Sequence, residues 1–325
     1  MTKDREMPRA IGKVVFLTPV SDINFDGILH NIEKVELPDT PVVELVPDDC
    51  VIGVFVNPNR SRDYLSENLH RKYKNLQVLA TASTGTNHID KDYFNSVGVN
   101  VVSITEERDV INGISSTAEH AFLLTLASLR RFEGSIQSVH NGHWDFSAFV
   151  GRQLKELTVG VVGYGRLGKY YAGYSDAFGA KTLVYDPYVH SAHPRIRQVK
   201  YLKELFTICD VISLHVHVTD ETRGMICNDV LAHSNKELHI INTSRGEICN
   251  EVHLGSWLQQ SSSHFYATDV LCEEIGGTGC NSKLLSDPST RDQITVTPHV
   301  GGMTYEARSA AFRRAAELLD DALLS

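Results

Sequence analysis

An arginine, a group of carboxylates and a histidine stand just past three successive apolar segments of this chain. "INTSRGEI" places Arg245 beyond one segment, "ATDVLCEEIGG" places Asp269, Glu273 and Glu274 beyond the next, and "VTPHVGGMT" places His299 beyond the last. A guanidinium binds anions through a planar fork of donors, and an imidazole exchanges a proton near neutral pH. In open α/β sheets ligands bind outside the carboxyl ends of the strands, so all three stretches are expected to face one cleft.

The cleft has a second candidate lining. "VGVVGYGRLGKYYAG" (residues 159–173) runs from four apolar residues into Gly163, Gly165 and Gly168 and then into a helical pattern. Gly163 permits a tight turn, Gly165 lets the backbone approach a pyrophosphate, and Gly168 lets helix and strand pack closely. The helix N-terminus then presents free N–H groups to phosphates. Asp186, 18 residues after Gly168, ends the next apolar run. A carboxylate there accepts hydrogen bonds from ribose hydroxyls and repels a 2′-phosphate, which favours NAD over NADP.

The elements that position these residues show as apolar, β-branched runs alternating with helical patterns. The first third offers "KVVFLT" (13–18), "VIGVFVN" (51–57), "LQVLATA" (76–82) and "NVVSI" (100–104). After a strong helix candidate, "TAEHAFLLTLASLRRF" (117–132), come "LTVGVV", "KTLVYD", "DVISLHV", "ELHIINT", "HFYATDV" and "ITVTPH". The helix opens with "SSTAE", which offers Ser or Thr caps ahead of Glu119. Continuous apolar strands between helices predict parallel sheets covered on both faces. The last stretch, "TYEARSAAFRRAAELLDDALL", is an amphipathic helix expected to return to the first domain. The second domain is then an insertion within the first.

The totals agree with two domains. The chain has 325 residues, 42% hydrophobic and 22% charged, with a formal net charge of -9. That charge, with basic runs no longer than "RKYK" and "RR", argues against nucleic acid as the main partner. The six cysteines (Cys50, Cys209, Cys227, Cys249, Cys272 and Cys280) form no CxxC pair, so no metal site is expected. A polar N-terminus and the lack of a long apolar run predict no signal peptide and no membrane span, hence a cytoplasmic location.

Seven stretches in order carry a resemblance: "STGTNHID" (83–90), "TAEHAFLLTLASLRR" (117–131), "GYGRLG" (163–168), "YDP" (185–187), "NTSRG" (242–246), "TDVLCEE" (268–274) and "TPHVGG" (297–302). The chain resembles the D-isomer-specific 2-hydroxyacid dehydrogenase family, which includes D-3-phosphoglycerate dehydrogenases. The resemblance implies a Rossmann NAD-binding domain (115–296) inserted into a flavodoxin-like substrate domain (1–114 plus 297–325). It implies a catalytic set of Arg245, Glu274 and His299: Arg245 on substrate, His299 as acid and base, and Glu274 pairing with the histidine. Glu273 is the rival to Glu274, and spacing favours Glu274. Asp269 is implied at the nicotinamide end. Arg166, Leu167 and Thr243 match further cofactor positions. The loop of Ser83, Thr84 and Gly85 resembles a clamp for substrate carboxylate, with Thr84 also near the cofactor. The implied substrate is a small 2-oxo or 2-hydroxy acid.

The chain also departs from the family pattern. His217 stands in "LHVHVT" where proline is common, near the adenine, and would add a donor there or alter the packing. "IGGTGCNSK" replaces a shorter segment after Glu274. Asn57, Asn59 and Arg60 of "NPNRSRDY" point to a polar or charged substrate. No regulatory domain is expected after residue 325. Formate dehydrogenases, which share the fold, usually carry Gln at the acid position, and Glu274 speaks against that reading. A corepressor-like protein that senses NADH would keep the same triad. His88, His120, His140, His143, His215 and His264 are read as surface or packed residues. The length of the apolar 117–131 helix predicts a homodimer through the nucleotide domain, with Trp144 at the contact.

Overall fold

The computed structural model describes residues 11–38, 40–57, 63–190, 193–234, 237–272, 274 and 282–325. The chain forms two compact units. One runs through Ile114 and resumes at Met303–Ser325; the other begins at Ser115 and ends at Gly302.

The first unit is built on a five-stranded parallel sheet of β1 (Gly12–Phe16), β2 (Ile32–Glu36), β3 (Val51–Val56), β4 (Val78–Thr81) and β5 (Asn100–Ser103), in the order β2-β1-β3-β4-β5. This is the flavodoxin-like order. The helix Tyr305–Leu324 lays Ala311, Phe312, Ala315, Ala316 and Leu319 against Val14, Phe16, Phe55 and Ala80. Small alanines let the helix approach the sheet closely. Thr304 starts the helix by accepting the Ala307 N–H on its hydroxyl oxygen at 3.2 Å.

The second unit carries a seven-stranded parallel sheet: β6 (Thr158–Val162), β7 (Lys181–Tyr185), β8 (Arg197–Gln198), β9 (Val211–Leu214), β10 (Leu238–Asn242), β11 (His264–Thr268) and β12 (Ile294–Val296). Its order is β12-β11-β10-β9-β6-β7-β8. The winding reverses at β6, so the glycine loop after β6 lies at the switch point where such sheets bind ligands. Every residue of β9, β10 and β11 is buried, including the polar Ser213, His239, Asn242, His264 and Thr268, which accounts for their mostly apolar reading.

Four details differ from the sequence expectation. β2 and β8 are additional strands; "IEKVE" is charged at three of its five positions and lies at a sheet edge, and β8 is only two residues long. The long helix ends at Leu129, Arg131 turns left-handed (φ 48°), and a second helix runs Phe132–His140. Ser115 does not cap the first of these helices; its hydroxyl donates to Glu119 Oε1 at 2.5 Å. Residues 297–302, expected with the first domain, belong to the second unit. Their backbone is bonded to the end of β11, with Thr297 N–H donating to Thr268 O and His299 N–H to Asp269 O, each at 2.9 Å.

Candidate active site

The glycine loop follows directly from β6. Gly163 sits at φ +88°, and a Cβ there would lie 2.5 Å from His215 O. A Cβ on Gly168 would lie 2.0 Å from Gly163 O, so the helix Arg166–Ala177 can pass this close to the strand only with glycine. Gly165 is different: a Cβ there meets no atom within 4 Å. It caps the helix without any side-chain hydrogen bond, leaving the first N–H groups to be satisfied from outside. Asp186 accepts from Tyr164 N at 2.7 Å on one oxygen and from Tyr188 N and Val189 N on the other, at 2.8 and 2.9 Å. A carboxylate offers about four acceptor sites, so one remains for a ribose hydroxyl. These residues fit a dinucleotide.

Around this loop, Arg166 opens the helix half-buried, and Leu167 packs into the core beneath it. His217 is exposed after β9, and its carbonyl accepts from Thr222 Oγ1 at 2.5 Å. Thr243 is buried just after β10.

The chemistry-bearing side chains follow three adjacent strands. After β10, the buried Asn242 side chain donates to Arg245 O at 2.9 Å and accepts from Ser244 N at 3.0 Å. Ser244 Oγ in turn donates to Leu214 O at 2.7 Å, tying the turn to β9. Gly246 completes the turn, since a Cβ there would lie 2.1 Å from the Leu271 carbonyl carbon. Arg245 is half-buried and donates from Nη1 to Ser244 O at 2.7 Å.

After β11 and β12 come the acid and the histidine. His299 Nδ1 lies 2.9 Å from Glu274 Oε1, with about a quarter of each side chain exposed. Glu273 lies outside the described residues, as do Asn59, Arg60 and Cys280. β10 and β12 are two strand spacings apart, roughly 10 Å.

Asp269 is the hub of the histidine loop. Its side chain is 1% exposed. Oδ1 accepts from Thr297 Oγ1 at 2.5 Å and from Val300 N at 2.9 Å; Oδ2 accepts from Gly301 N at 2.7 Å. His120 Nε2 stands 3.4 Å from Oδ1 and 2.8 Å from Thr297 Oγ1. Burial alone would raise the Asp269 carboxyl. The bonds from His120, Thr297 and the N–H groups of Val300 and Gly301 outweigh burial and hold it below the usual range.

In the first unit, the substrate-clamp candidates form a loop after β4. Ser83 Oγ accepts from Gly85 N at 3.1 Å, and Thr84 O accepts from Thr105 Oγ1 at 3.0 Å. Asn57 is buried at the end of β3.

A family model described as "D-isomer specific 2-hydroxyacid dehydrogenase, NAD binding domain" matches residues 122–301. The chain belongs to the D-isomer specific 2-hydroxyacid dehydrogenase family. D-3-phosphoglycerate dehydrogenase of Mycobacterium leprae is 34% identical over 74% of this chain and 44% of its own length. The enzyme of that name from Synechocystis is 29% identical over 97% of this chain and 54% of its own. The chain thus spans about half the length of these curated relatives. Among solved structures, D-lactate dehydrogenase from Aquifex aeolicus, complexed with NAD and lactic acid, has a TM-score of 0.76 and 26% identity, covering 96% of this chain and 95% of that one.

Within this dehydrogenase-family chain, the sequence reading left out two residues that the fold brings to the site, His120 and Thr297. His120 was expected to be a surface or packed residue, yet it bonds to the histidine loop from 177 positions away. Other histidines do pack. His88 is buried beside Thr81, and His264 stacks on Trp257 with ring centroids 4.0 Å apart. Among the described residues no group of side chains could hold a metal ion, and no helix is long and apolar enough to cross a membrane.

Proposed function

We propose that this chain interconverts a D-2-hydroxy acid and a 2-oxo acid with NAD as cofactor. The observation that carries the reading is the 2.9 Å pairing of His299 with Glu274 within the stretch matched by the family's NAD binding domain. Reduction of a 2-oxo acid adds a hydride to the carbonyl carbon and a proton to its oxygen. When bound, the nicotinamide supplies or accepts the hydride. Arg245 binds the substrate carboxylate and polarises the carbonyl; a guanidinium has five donors, and Ser244 O takes one of them. His299, protonated, delivers the proton, and in the reverse direction the neutral ring accepts it. Glu274 holds the imidazole in place through its Nδ1. Ser83, Thr84 and Gly85 are assigned to the substrate carboxylate. Asp186 favours NAD over NADP.

The protein acts as a homodimer in this reading. The basis differs from the sequence argument, because the helix Ser116–Leu129 spends most of its apolar residues inside its own unit. The exposed apolar surface lies further on, in Phe132, Val139, Phe146 (88% exposed), Val150 and Trp144 (92%).

The test is NADH oxidation against a panel of 2-oxo acids that includes phosphorylated ones. Arg245→Ala and His299→Ala should each lose most turnover while NADH still binds. Wild-type turnover in either variant would refute the roles. No turnover with any acid, together with NADH-dependent capture of a protein partner, would favour the corepressor reading.

A further inference from the structure

We propose that His120 is a positioning residue that sets the histidine loop through a two-step hydrogen-bond relay. This inference rests on the dehydrogenase reading above. Thr297 has a single hydroxyl hydrogen and two neighbours that could compete for it, His120 Nε2 at 2.8 Å and Asp269 Oδ1 at 2.5 Å. Asp269 is held in its ionised form, so it can only accept. The hydroxyl hydrogen therefore points at Asp269. A lone pair of Thr297 then faces His120, and His120 must carry its hydrogen on Nε2. The relay runs His120 Nε2–H to Thr297 Oγ1–H to Asp269 Oδ1; Asp269 Oδ1 also lies 3.4 Å from His120 Nε2, and the shorter 2.8 Å contact makes Thr297 the main acceptor.

The far end of this relay carries the catalytic loop. The carboxylate that ends it also receives the N–H groups of Val300 and Gly301, and the Asp269 carbonyl receives the N–H of His299. The helix Ser116–Leu129 reaches the same loop through a second contact: a Cβ on Gly301 would lie 3.4 Å from Thr117 Cγ2. Thr117 and His120 follow just after the chain leaves the first unit at Ile114, and Thr297–Gly301 come just before it returns at Met303. The relay thus fastens together the two chain segments that pass between the units, with His299 on one of them. His120 is 14% exposed in its side chain, so water competes poorly for its bond.

The test compares His120→Phe, which keeps a ring and removes the donor, with His120→Gln, whose side-chain N–H reaches the Nε2 position. Thr297→Val interrupts the relay from its other side and serves if His120→Phe folds poorly. Two readouts are taken on the full chain: hydrogen exchange of the Val300 and Gly301 amides, and kcat and KM with NADH and the fastest 2-oxo acid. In His120→Phe and Thr297→Val the two amides should exchange at least ~10-fold faster. In both, kcat should fall ~10-fold or more with NADH affinity within about twofold of wild type, since small misplacement of a reacting group is costly. His120→Gln should restore both readouts to within about threefold. Unchanged exchange in His120→Phe and Thr297→Val overturns the proposal whatever the turnover. Faster exchange with unchanged kcat overturns its catalytic consequence. Faster exchange in a protein whose wild type reduces no 2-oxo acid upholds the relay and sinks the dehydrogenase reading instead.

Discussion

His299 meets Glu274 from a left-handed backbone: Nδ1 lies 2.9 Å from Glu274 Oε1 while the histidine holds φ at 55°. A residue other than glycine in that region costs on the order of 1–3 kcal/mol and persists only when its surroundings fix it. Asp269 fixes it, because the N–H groups of residues 299, 300 and 301 all end on that residue. Stability is spent to aim the imidazole.

A replacement that tolerates the left-handed region should therefore separate folding from chemistry. In His299→Asn the melting temperature should stay within a few degrees of wild type or rise, and kcat should drop at least ~100-fold, the usual scale of a general acid. Calorimetry and steady-state kinetics check it together. A variant that melts far lower would show that the ring itself supports the fold.

Two glycines of one motif should behave in opposite ways. Gly168→Ala forces a Cβ to within 2.0 Å of Gly163 O and should destabilise the protein by about 3 kcal/mol. Gly165→Ala adds a methyl where no atom lies within 4 Å and should unfold with the wild-type midpoint. Its NADH affinity should nevertheless fall at least ~10-fold, because the methyl occupies the approach of the pyrophosphate. Denaturant titration and NADH fluorescence distinguish the two; unchanged affinity in Gly165→Ala would contradict the loop's role.

Acid should weaken the second unit before its carboxylates titrate. Burial pushes His215 down to about 3, against an unfolded value near 6.5. A folded value below the unfolded one means the unfolded chain binds the extra proton. Stability is complete above pH ~6.5 and falls by about 1.4 kcal/mol per pH unit toward pH 3. Asp269, also depressed, contributes only further down, as pH falls below its unfolded value near 3.9. Glu237, held below its usual range chiefly by its bond with His239, adds to the loss once pH approaches its unfolded value of about 4.3, so the histidine is read between about pH 6.5 and 5. His215→Gln should flatten the melting temperature across that window; an equally steep profile in the variant would assign the acid sensitivity elsewhere.

The apolar surface around Trp144 and Phe146 should yield to charge. Trp144→Glu combined with Phe146→Glu should convert a dimer to a monomer in analytical ultracentrifugation at micromolar concentration, with the circular dichroism spectrum unchanged. A wild-type protein that sediments as a monomer would remove the dimer from the functional proposal.

The sheets were legible because parallel strands buried on both faces are mostly apolar. β9, β10 and β11 have no exposed face, and their few polar residues, such as Ser213 and Asn242, are buried with hydrogen-bond partners. β2 escaped for the opposite reason, since the edge strand "IEKVE" carries charge at three of its five positions. The break at Arg131 could not be read, because arginine gives no local sign of a left-handed turn. The pairing of Glu274 with His299 is implied by the family resemblance and not by any local pattern; in the structure the two side chains lie 2.9 Å apart. The part of His120 was hidden for a topological reason. Its partners Asp269 and Thr297 come after six and seven further strands, and nothing local marks one histidine among fifteen as their donor. For Asp269, the motif pointed toward the nicotinamide; its hold on the backbone of residues 299–301 depends on carboxylate geometry that a motif does not carry.

The helix Tyr305–Leu324 closes the core of a sheet whose five strands all precede residue 104. During synthesis on a ribosome, that sheet emerges early and must wait, one face bare, while the whole nucleotide unit is translated. The nucleotide unit has no such dependence and can mature first. Nascent chains stalled before residue 305 should then expose the β3–β5 surface to chaperones, and a circular permutation that moves this helix to the front should shorten the exposure.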